Sequence, residues 1–262
     1  MEAFRDWWVR AALAVSLLVP VYFLVAALGT KFGLFDWTVG FVQMTFMWGV
    51  RVLLASAGLA LLAMLLALFV SPRRGVITAL IALIIPLIGV GYGMYVRSAA
   101  ADIPAIHDIS TDLDNPPAFS ESVVRARAAV PQSNHLDLLN KRTQEGRAFT
   151  DLQRQHYPDI EPVITGLEPS RTFDIALDLA RDEGWTVTGA NADTGDIEAN
   201  AETFWFGFTD DIAIRVRPEG TGSRVDMRSV SRVGRSDLGA NAGRMRPYLE
   251  ELRARLETAS QP

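Results

Sequence analysis

The sequence contains no cysteine, and it has only two lysines and three histidines among its 262 residues. The lack of cysteine excludes disulfides, thiolate nucleophiles, zinc–thiolate sites and iron–sulfur clusters. The sequence also lacks the H-E-x-x-H zinc motif, the Walker phosphate loop and the glycine-rich dinucleotide fingerprint. His107, Asp108, Asp112 and Asp114 are neighbours in the chain, but their spacing matches no metal motif and is typical of turns before prolines. We therefore predict no metal and no cofactor.

Acidic and basic residues are divided unevenly along the chain. Residues 1–97 contain seven Arg or Lys against three Asp or Glu, whereas residues 98–262 contain 18 against 27. This difference indicates two environments, a membrane region and an acidic soluble region. Because non-specific nucleic-acid binding needs a basic surface, the acidic region argues against a nucleic-acid partner.

Three uncharged segments, 11–30, 52–70 and 76–96, lie in the first part of the chain. Each has 19 to 21 residues, which is enough for a helix to cross a hydrocarbon core of about 30 Å. Tryptophan residues lie near the ends of these segments, as is typical of membrane–water interfaces. We predict three transmembrane helices, so that the lipid bilayer is one partner of the chain.

The positions of the basic residues predict the orientation of these helices. Arg73 and Arg74 lie in the short loop after the second segment, and Arg5 and Arg10 precede the first. The positive-inside rule assigns both regions to the cytoplasm, and three spans then carry the rest of the chain across. We predict a multi-pass inner (plasma) membrane protein whose C-terminal domain is extracytoplasmic, in the periplasm.

The chain after the spans is predicted to form a linker at 98–120 and one soluble α+β domain at 121–262, with 1–97 as the membrane region. Residues 185–192, 197–208, 211–217 and 224–231 alternate as strands do, and the turns between them are short enough for antiparallel neighbours. An irregular edge strand is expected at 157–165. Helices are expected at 170–183 and from Ser236 or Asp237 onward, the latter kinked or divided by Pro247. The predicted fold is a two-layer α+β domain with a four-stranded antiparallel sheet.

One face of this sheet should be apolar and the other charged. Ile212, Ile214 and Val216 alternate with Arg215 and Arg217 along one strand. The predicted core contains Trp185, Phe206, Ile212, Ile214, Val216 and Leu249.

Four stretches of this region resemble a known family. They are IHDISTD followed by NPP at 106–117, YPDI at 157–160, FGFTDDIAIRVRP at 206–218, and VDMRSVSRVGRSDLGANAGR at 225–244. Together they resemble domain of unknown function 1499 over about residues 103–256, and the last stretch is specific because it is long and unusual in composition. Similar proteins occur in bacterial envelopes and in the plant thylakoid lumen, so the resemblance implies a compartment across the membrane. The family has no assigned reaction, and it therefore implies no catalytic residues.

Arg228, Arg232, Arg235 and Ser236 are the candidate ligand-binding residues. They lead into the N-terminus of the last helix, where guanidinium groups, a hydroxyl and free backbone N–H groups suit an anion. The alternative interpretation is a structural lattice, in which Arg228 and Arg232 pair with Asp226, Asp211 or Asp237.

Asp210 and Asp211 are the candidate acid pair. Two adjacent carboxylates at the start of a strand suit proton transfer, but carboxylates in turns usually pair with basic side chains, here Arg215 or Arg228.

Two classes of function fit this sequence. The first is a non-enzymatic, membrane-anchored module that supports envelope or membrane-complex assembly by binding an anionic lipid, a glycan or a membrane-protein partner. The second is a hydrolase or transferase acting on an anionic envelope substrate. The sequence places no nucleophile beside a base and no catalytic residue is assigned, which favours the first class.

Overall fold

The computed structural model describes residues 1–261 and divides the chain into two compact units. One unit comprises Met1–Ala101 together with Phe204–Gly207, and the other comprises Asp102–Thr203 together with the residues from Phe208 onward. We describe them separately as the helical unit and the α+β domain.

The helical unit contains three helices that are long and apolar enough to cross a membrane. They are α1 (Glu2–Lys31), α2 (Gly49–Phe69), which continues a π-helical segment at Thr38–Trp48, and α3 (Val76–Ala99). The three predicted spans are confirmed as apolar helices. The second is longer than predicted, because the continuous helix Thr38–Phe69 includes Arg51 and the residues before it.

Small side chains line the contacts among these three helices. The buried alanines that pack together there are Ala12, Ala60, Ala63, Ala67, Ala79 and Ala82. The hydroxyl of Ser16 donates to the carbonyl of Ala82 at 2.7 Å and lies 3.1 Å from the hydroxyl of Ser56. Small residues and interhelical hydroxyl bonds are typical of helix packing in membranes, because they allow close approach of the backbones.

The α+β domain combines one sheet with four helices. The strands are β1 (Asp108–Ser110), β2 (Val163–Thr165), β3 (Thr186–Asn191), β4 (Asp196–Glu202), β5 (Thr209–Glu219) and β6 (Gly222–Ser231). The helices are α4 (Glu121–Ala128), α5 (Phe149–His156), α6 (Pro169–Asp182) and α7 (Ala240–Ser260). Helix α7 runs unbroken through Pro247, so the division predicted there is not present.

The sheet has six antiparallel strands in the order β1-β6-β5-β4-β3, and β2 also pairs with β6. The prediction of four strands was therefore incomplete. The four predicted strands correspond to β3–β6, and β2 lies within the irregular edge strand expected at 157–165. Strand β1 was not predicted, because its three residues are too few for a readable period of two. Strand β1 lies inside the range 98–120 that was predicted as a linker, and Ser229 of β6 is the register partner of Ile109.

The two faces of the sheet differ as predicted. Helices α6 and α7 pack with the apolar face in one core, which contains Trp185, Ile212, Ile214, Val216, Met227 and Leu249. Phe206 is not part of this core, because it lies in the turn between β4 and β5 that groups with the helical unit. The opposite face carries the charged residues, and Asp108, Asp211, Asp226 and Arg228 are the buried ones among them.

Candidate functional site

The charged face of the sheet is the candidate functional site. Asp108 on β1, Asp211 on β5 and Arg228 on β6 point to this side, because side chains alternate along each strand. Arg127 of α4 and Lys141 of the following loop reach the same face from above. All five side chains are at least 96 % buried. We call these five residues, together with Arg232, the ion-pair network.

Asp108 is the first centre of the network. Its carboxylate accepts hydrogen bonds from Nε and Nη2 of Arg228 at 2.9 and 2.8 Å, and from Nζ of Lys141 at 2.5 Å. Burial alone would raise the pKa of Asp108, but the hydrogen bonds and charges of Arg228 and Lys141 outweigh it and hold the pKa below its ordinary value. The carboxylate is therefore ionised and fully engaged.

Asp211 is the second centre, and it also accepts from two cations. Nη1 of Arg127 lies 2.6 Å from its Oδ2, and Nη2 of Arg232 lies 2.7 Å from its Oδ1. Arg127 donates further to the carbonyls of Asn134 and Ser231. Arg127 thus links the segment after α4 to the end of β6, because it donates to a carbonyl of each.

The proposed acid pair is separated by the alternation of β5. Asp211 points into the ion-pair network, whereas Asp210 points to the opposite face, where its carboxylate accepts from Arg244 of α7 at 2.7 Å. Their partners are therefore neither Arg215 nor Arg228. The two carboxylates do not face a common space, so this arrangement does not let them share a proton.

The four predicted anion-binding residues fall into two environments. Arg228 and Arg232 are inside the network, while Arg235 is exposed and donates to Oε1 of Gln144 at 3.1 Å. The hydroxyl of Ser236 accepts from the backbone N–H of Leu238 at 3.1 Å. Arg232 pairs with Asp211, as the lattice interpretation allowed, but Arg228 pairs with Asp108, which that interpretation did not include.

Asn241, near the start of α7, connects the helix to β6 on the other face of the sheet. Its Oδ1 accepts from the hydroxyl of Ser229 at 2.6 Å, and its Nδ2 donates to the hydroxyl of Ser231 at 3.0 Å and to the carbonyl of His107 at 3.3 Å. Asp237 accepts from the backbone N–H groups of Gly239 and Asn241 and so fixes the turn before the helix.

His107 lies beside the network. Nδ1 is 3.2 Å from the carbonyl of Arg235 and therefore carries the proton, while Nε2 is buried without a hydrogen-bond partner among residues 1–261. Burial and the nearby charge of Lys141 lower the pKa of His107 to about 4. The imidazole is consequently neutral at physiological pH.

Sequence reasoning missed three members of the network. Asp108 was considered only with other residues of the 107–114 stretch as a metal ligand, and Arg127 and Lys141 were not singled out. Among residues 1–261, no group of three or more His, Cys, Asp or Glu is arranged to hold a metal ion. The one available signal was Lys141 itself, because it is one of two lysines in a chain that otherwise uses arginine.

These observations define a membrane protein with an α+β domain whose charged sheet face is buried in ion pairs. The chain belongs to the family described as "Protein of unknown function (DUF1499)", whose model matches residues 108–252. A search of the curated proteins found no match. The matched range begins at Asp108 and includes every member of the ion-pair network.

Proposed function

We propose that this chain is a membrane-anchored, extracytoplasmic module that supports envelope or membrane-complex assembly by binding an anionic group, without catalysing a reaction. The observation that carries the proposal is the charge balance of the network. Four cations, Arg127, Lys141, Arg228 and Arg232, share the two carboxylates of Asp108 and Asp211. Unbalanced charge in a protein interior is costly, and an anion held at the edge of the cluster would reduce that cost.

The inner and outer cations have different roles in this proposal. Arg228 donates to Asp108 and to the carbonyls of Pro117 and Leu136, so it supplies positive potential and does not contact a ligand. Arg232 donates through Nε and Nη2 to Asp211, and its Nη1 has no hydrogen-bond partner among the described residues. Arg232 Nη1 and the exposed Arg235 are therefore the groups that we expect to contact a phosphate or carboxylate.

Asp237 is the carboxylate that would oppose an anion here. It accepts from two backbone N–H groups and does not pair with the network cations. Burial raises the pKa of Asp237 above its ordinary value, so this carboxylate takes up a proton more readily than an exposed one.

The orientation of the domain follows from the loop charges. Arg73 and Arg74 precede α3, and an odd number of spans carries the α+β domain to the opposite side. Alkaline phosphatase fused to the C-terminus should be active in cells. An inactive phosphatase fusion, together with a fluorescent cytoplasmic reporter fusion, would reverse this assignment.

Anion binding is tested on the full chain in neutral detergent micelles. We expect short-chain phosphatidylglycerol to bind more tightly than short-chain phosphatidylcholine, and the preference to weaken with salt. Arg235→Glu should abolish the preference without changing thermal unfolding, because this side chain is exposed.

Arg171→Glu is the matched control for that experiment. It makes the same charge change at another exposed position of the domain, on α6, and it should bind as the unsubstituted chain does. Equal binding of the two lipids by the unsubstituted chain would refute the anion site. An equal loss of the phosphatidylglycerol preference in Arg235→Glu and Arg171→Glu would refute it as well.

A further inference from the structure

The turn between β4 and β5 presents two large aromatic side chains to the surface. The backbone N–H of Thr203 donates to the carbonyl of Phe208, and the N–H of Phe208 donates to the hydroxyl of Thr203, both at 2.9 Å. These bonds close the turn around Phe204–Gly207, which we call the aromatic tip. Phe204 is 72 % exposed and Trp205 is 53 % exposed, and their rings pack edge to face at 5.0 Å.

The chemistry of the aromatic tip is that of a membrane interface. Tryptophan and phenylalanine have large apolar surfaces, and the indole N–H allows tryptophan to sit where apolar chains meet water. The exposed apolar residues of the α+β domain, such as Leu139 and Ile164, are isolated along the sequence, which is ordinary for a soluble surface. Two adjacent exposed aromatic residues on a closed turn are a more specific indication of a membrane contact than such isolated residues.

The chain connection keeps the domain near the bilayer. Helix α3 ends at Ala99 and β1 begins at Asp108, so the eight residues 100–107 join them. Fully extended, this connection spans at most about 28 Å. Such a short tether gives the aromatic tip a high effective concentration at the membrane surface, so that a weak interaction suffices.

We propose that the aromatic tip inserts Phe204 and Trp205 into the interfacial layer of the bilayer on the side where the domain lies. The insertion is apolar, because residues 98–262 carry 27 acidic against 18 basic residues, and this acidic excess opposes a general electrostatic attraction to the membrane. This inference rests on the membrane anchoring in the proposed function, but it depends neither on the anion site nor on which side the domain occupies.

The cysteine-free sequence allows a direct measurement. A nitroxide is attached to the cysteine of the Phe204→Cys variant, and the labelled full chain is reconstituted in phosphatidylcholine vesicles. The collision rate of the nitroxide with oxygen is then compared with its collision rate with a water-soluble nickel complex. Ile164→Cys is the matched control, because Ile164 is 59 % exposed and its register partner is Arg224, near the start of β6. The aromatic tip lies towards the other end of β6, since it precedes Asp210, whose register partner is Ser231. Leu61→Cys on α2 provides the lipid-exposed standard.

We expect the label at position 204 to collide several-fold more often with oxygen than with the nickel complex, as at position 61, and the label at 164 to show the reverse. This pattern should persist in high salt, because the insertion is apolar. Equal nickel access at positions 204 and 164, or low access to both reagents at 204, overturns the inference. Release of the protein from vesicles by alkaline carbonate would instead overturn the anchoring itself, and with it the proposed function.

Discussion

Asp108 and Arg228 are 120 positions apart in the sequence, yet they form a two-point ion pair with both side chains buried. The pair joins β1, the first strand of the domain, to the adjacent strand β6, where Ser110 is the register partner of Arg228. Lys141 binds the same carboxylate from the loop above. One carboxylate therefore holds three distant segments of the chain together.

Removal of Arg228 should destabilise the domain strongly. Arg228→Ala leaves Asp108 buried with only Lys141 as its partner, and breaking a buried pair in this way costs about 3–5 kcal/mol. Thermal unfolding of the full chain in detergent measures the loss. Arg181→Ala, which removes an exposed pair with Asp178, is the control and should cost less than about 1 kcal/mol. Equal effects of the two changes would mean that the buried pair does not hold the domain together.

Asn241→Ala should also lower stability, through lost hydrogen bonds. Asn241 is fully buried, and its removal leaves Ser229, Ser231 and the carbonyl of His107 without this partner. Ser229 keeps its bond from Arg244 and the carbonyl of His107 keeps its bond from the N–H of Ser231, so the hydroxyl of Ser231 is the group left unsatisfied. One such buried group costs about 1–3 kcal/mol, which is the loss that we expect in urea unfolding. Asn140→Ala, at an exposed loop position, should change little. Equal urea midpoints of Asn241→Ala and Asn140→Ala would show that the Asn241 side chain is dispensable for stability.

His107 should make the protein less stable in mild acid. The folded chain holds His107 neutral with a pKa of about 4, whereas the unfolded chain has its ordinary value of 6.5. The unfolded state therefore binds the proton first, and stability, complete above pH 6.5, falls as pH decreases towards 4 by up to about 1.4 kcal/mol per pH unit. The lowered pKa of Asp108 adds a separate loss that begins only below its ordinary value of 3.8.

Urea unfolding at several pH values tests this dependence. His107→Asn keeps a donor for the carbonyl of Arg235 and should flatten the slope between pH 6.5 and 4. His135→Asn, at the surface, should leave the slope as it is. An unchanged slope in His107→Asn would assign the acid sensitivity to other groups.

Gly222, the first residue of β6, should not tolerate a side chain. A Cβ atom at this position would collide with the carbonyl oxygen of Thr165, the backbone of β2. Gly222→Ala should therefore cost about 1–3 kcal/mol, the usual range for overpacking. At the neighbouring Gly166 a Cβ meets nothing within 4 Å, so Gly166→Ala is the control and should be neutral. Calorimetry of both variants decides whether β2 is held as closely to β6 as the structure indicates.

The regular parts of this fold could be predicted from local sequence. The alternation around Ile212 and Ile214 determines one apolar strand face, and the spacing of Leu249, Leu252 and Leu256 determines the apolar side of α7. The three apolar helices could be predicted because length and lack of charge suffice for such segments.

The network could be predicted only in part, because its contacts are distant in sequence. Asp211 lies on β5 and Arg232 directly follows the adjacent strand β6, and their pairing was among the expected ones. Asp108 lies on a strand of three residues, and nothing local indicates that it crosses to Arg228. Arg127 lies on a short polar helix, where a buried arginine has the same sequence pattern as an exposed one.

The order of the strands has a consequence for biosynthesis. Strand β1 leaves the ribosome soon after the third apolar helix, but its partner β6 ends at Ser231. At synthesis rates of about 5–20 residues per second, β1 remains unpaired for roughly 10 s. The pairings β3–β4, β4–β5 and β5–β6 join consecutive strands and can form first, so β1 is added to a preformed edge. A nascent chain therefore exposes an unpaired β1 strand until β6 is complete, and such an open edge can pair with another chain during that interval.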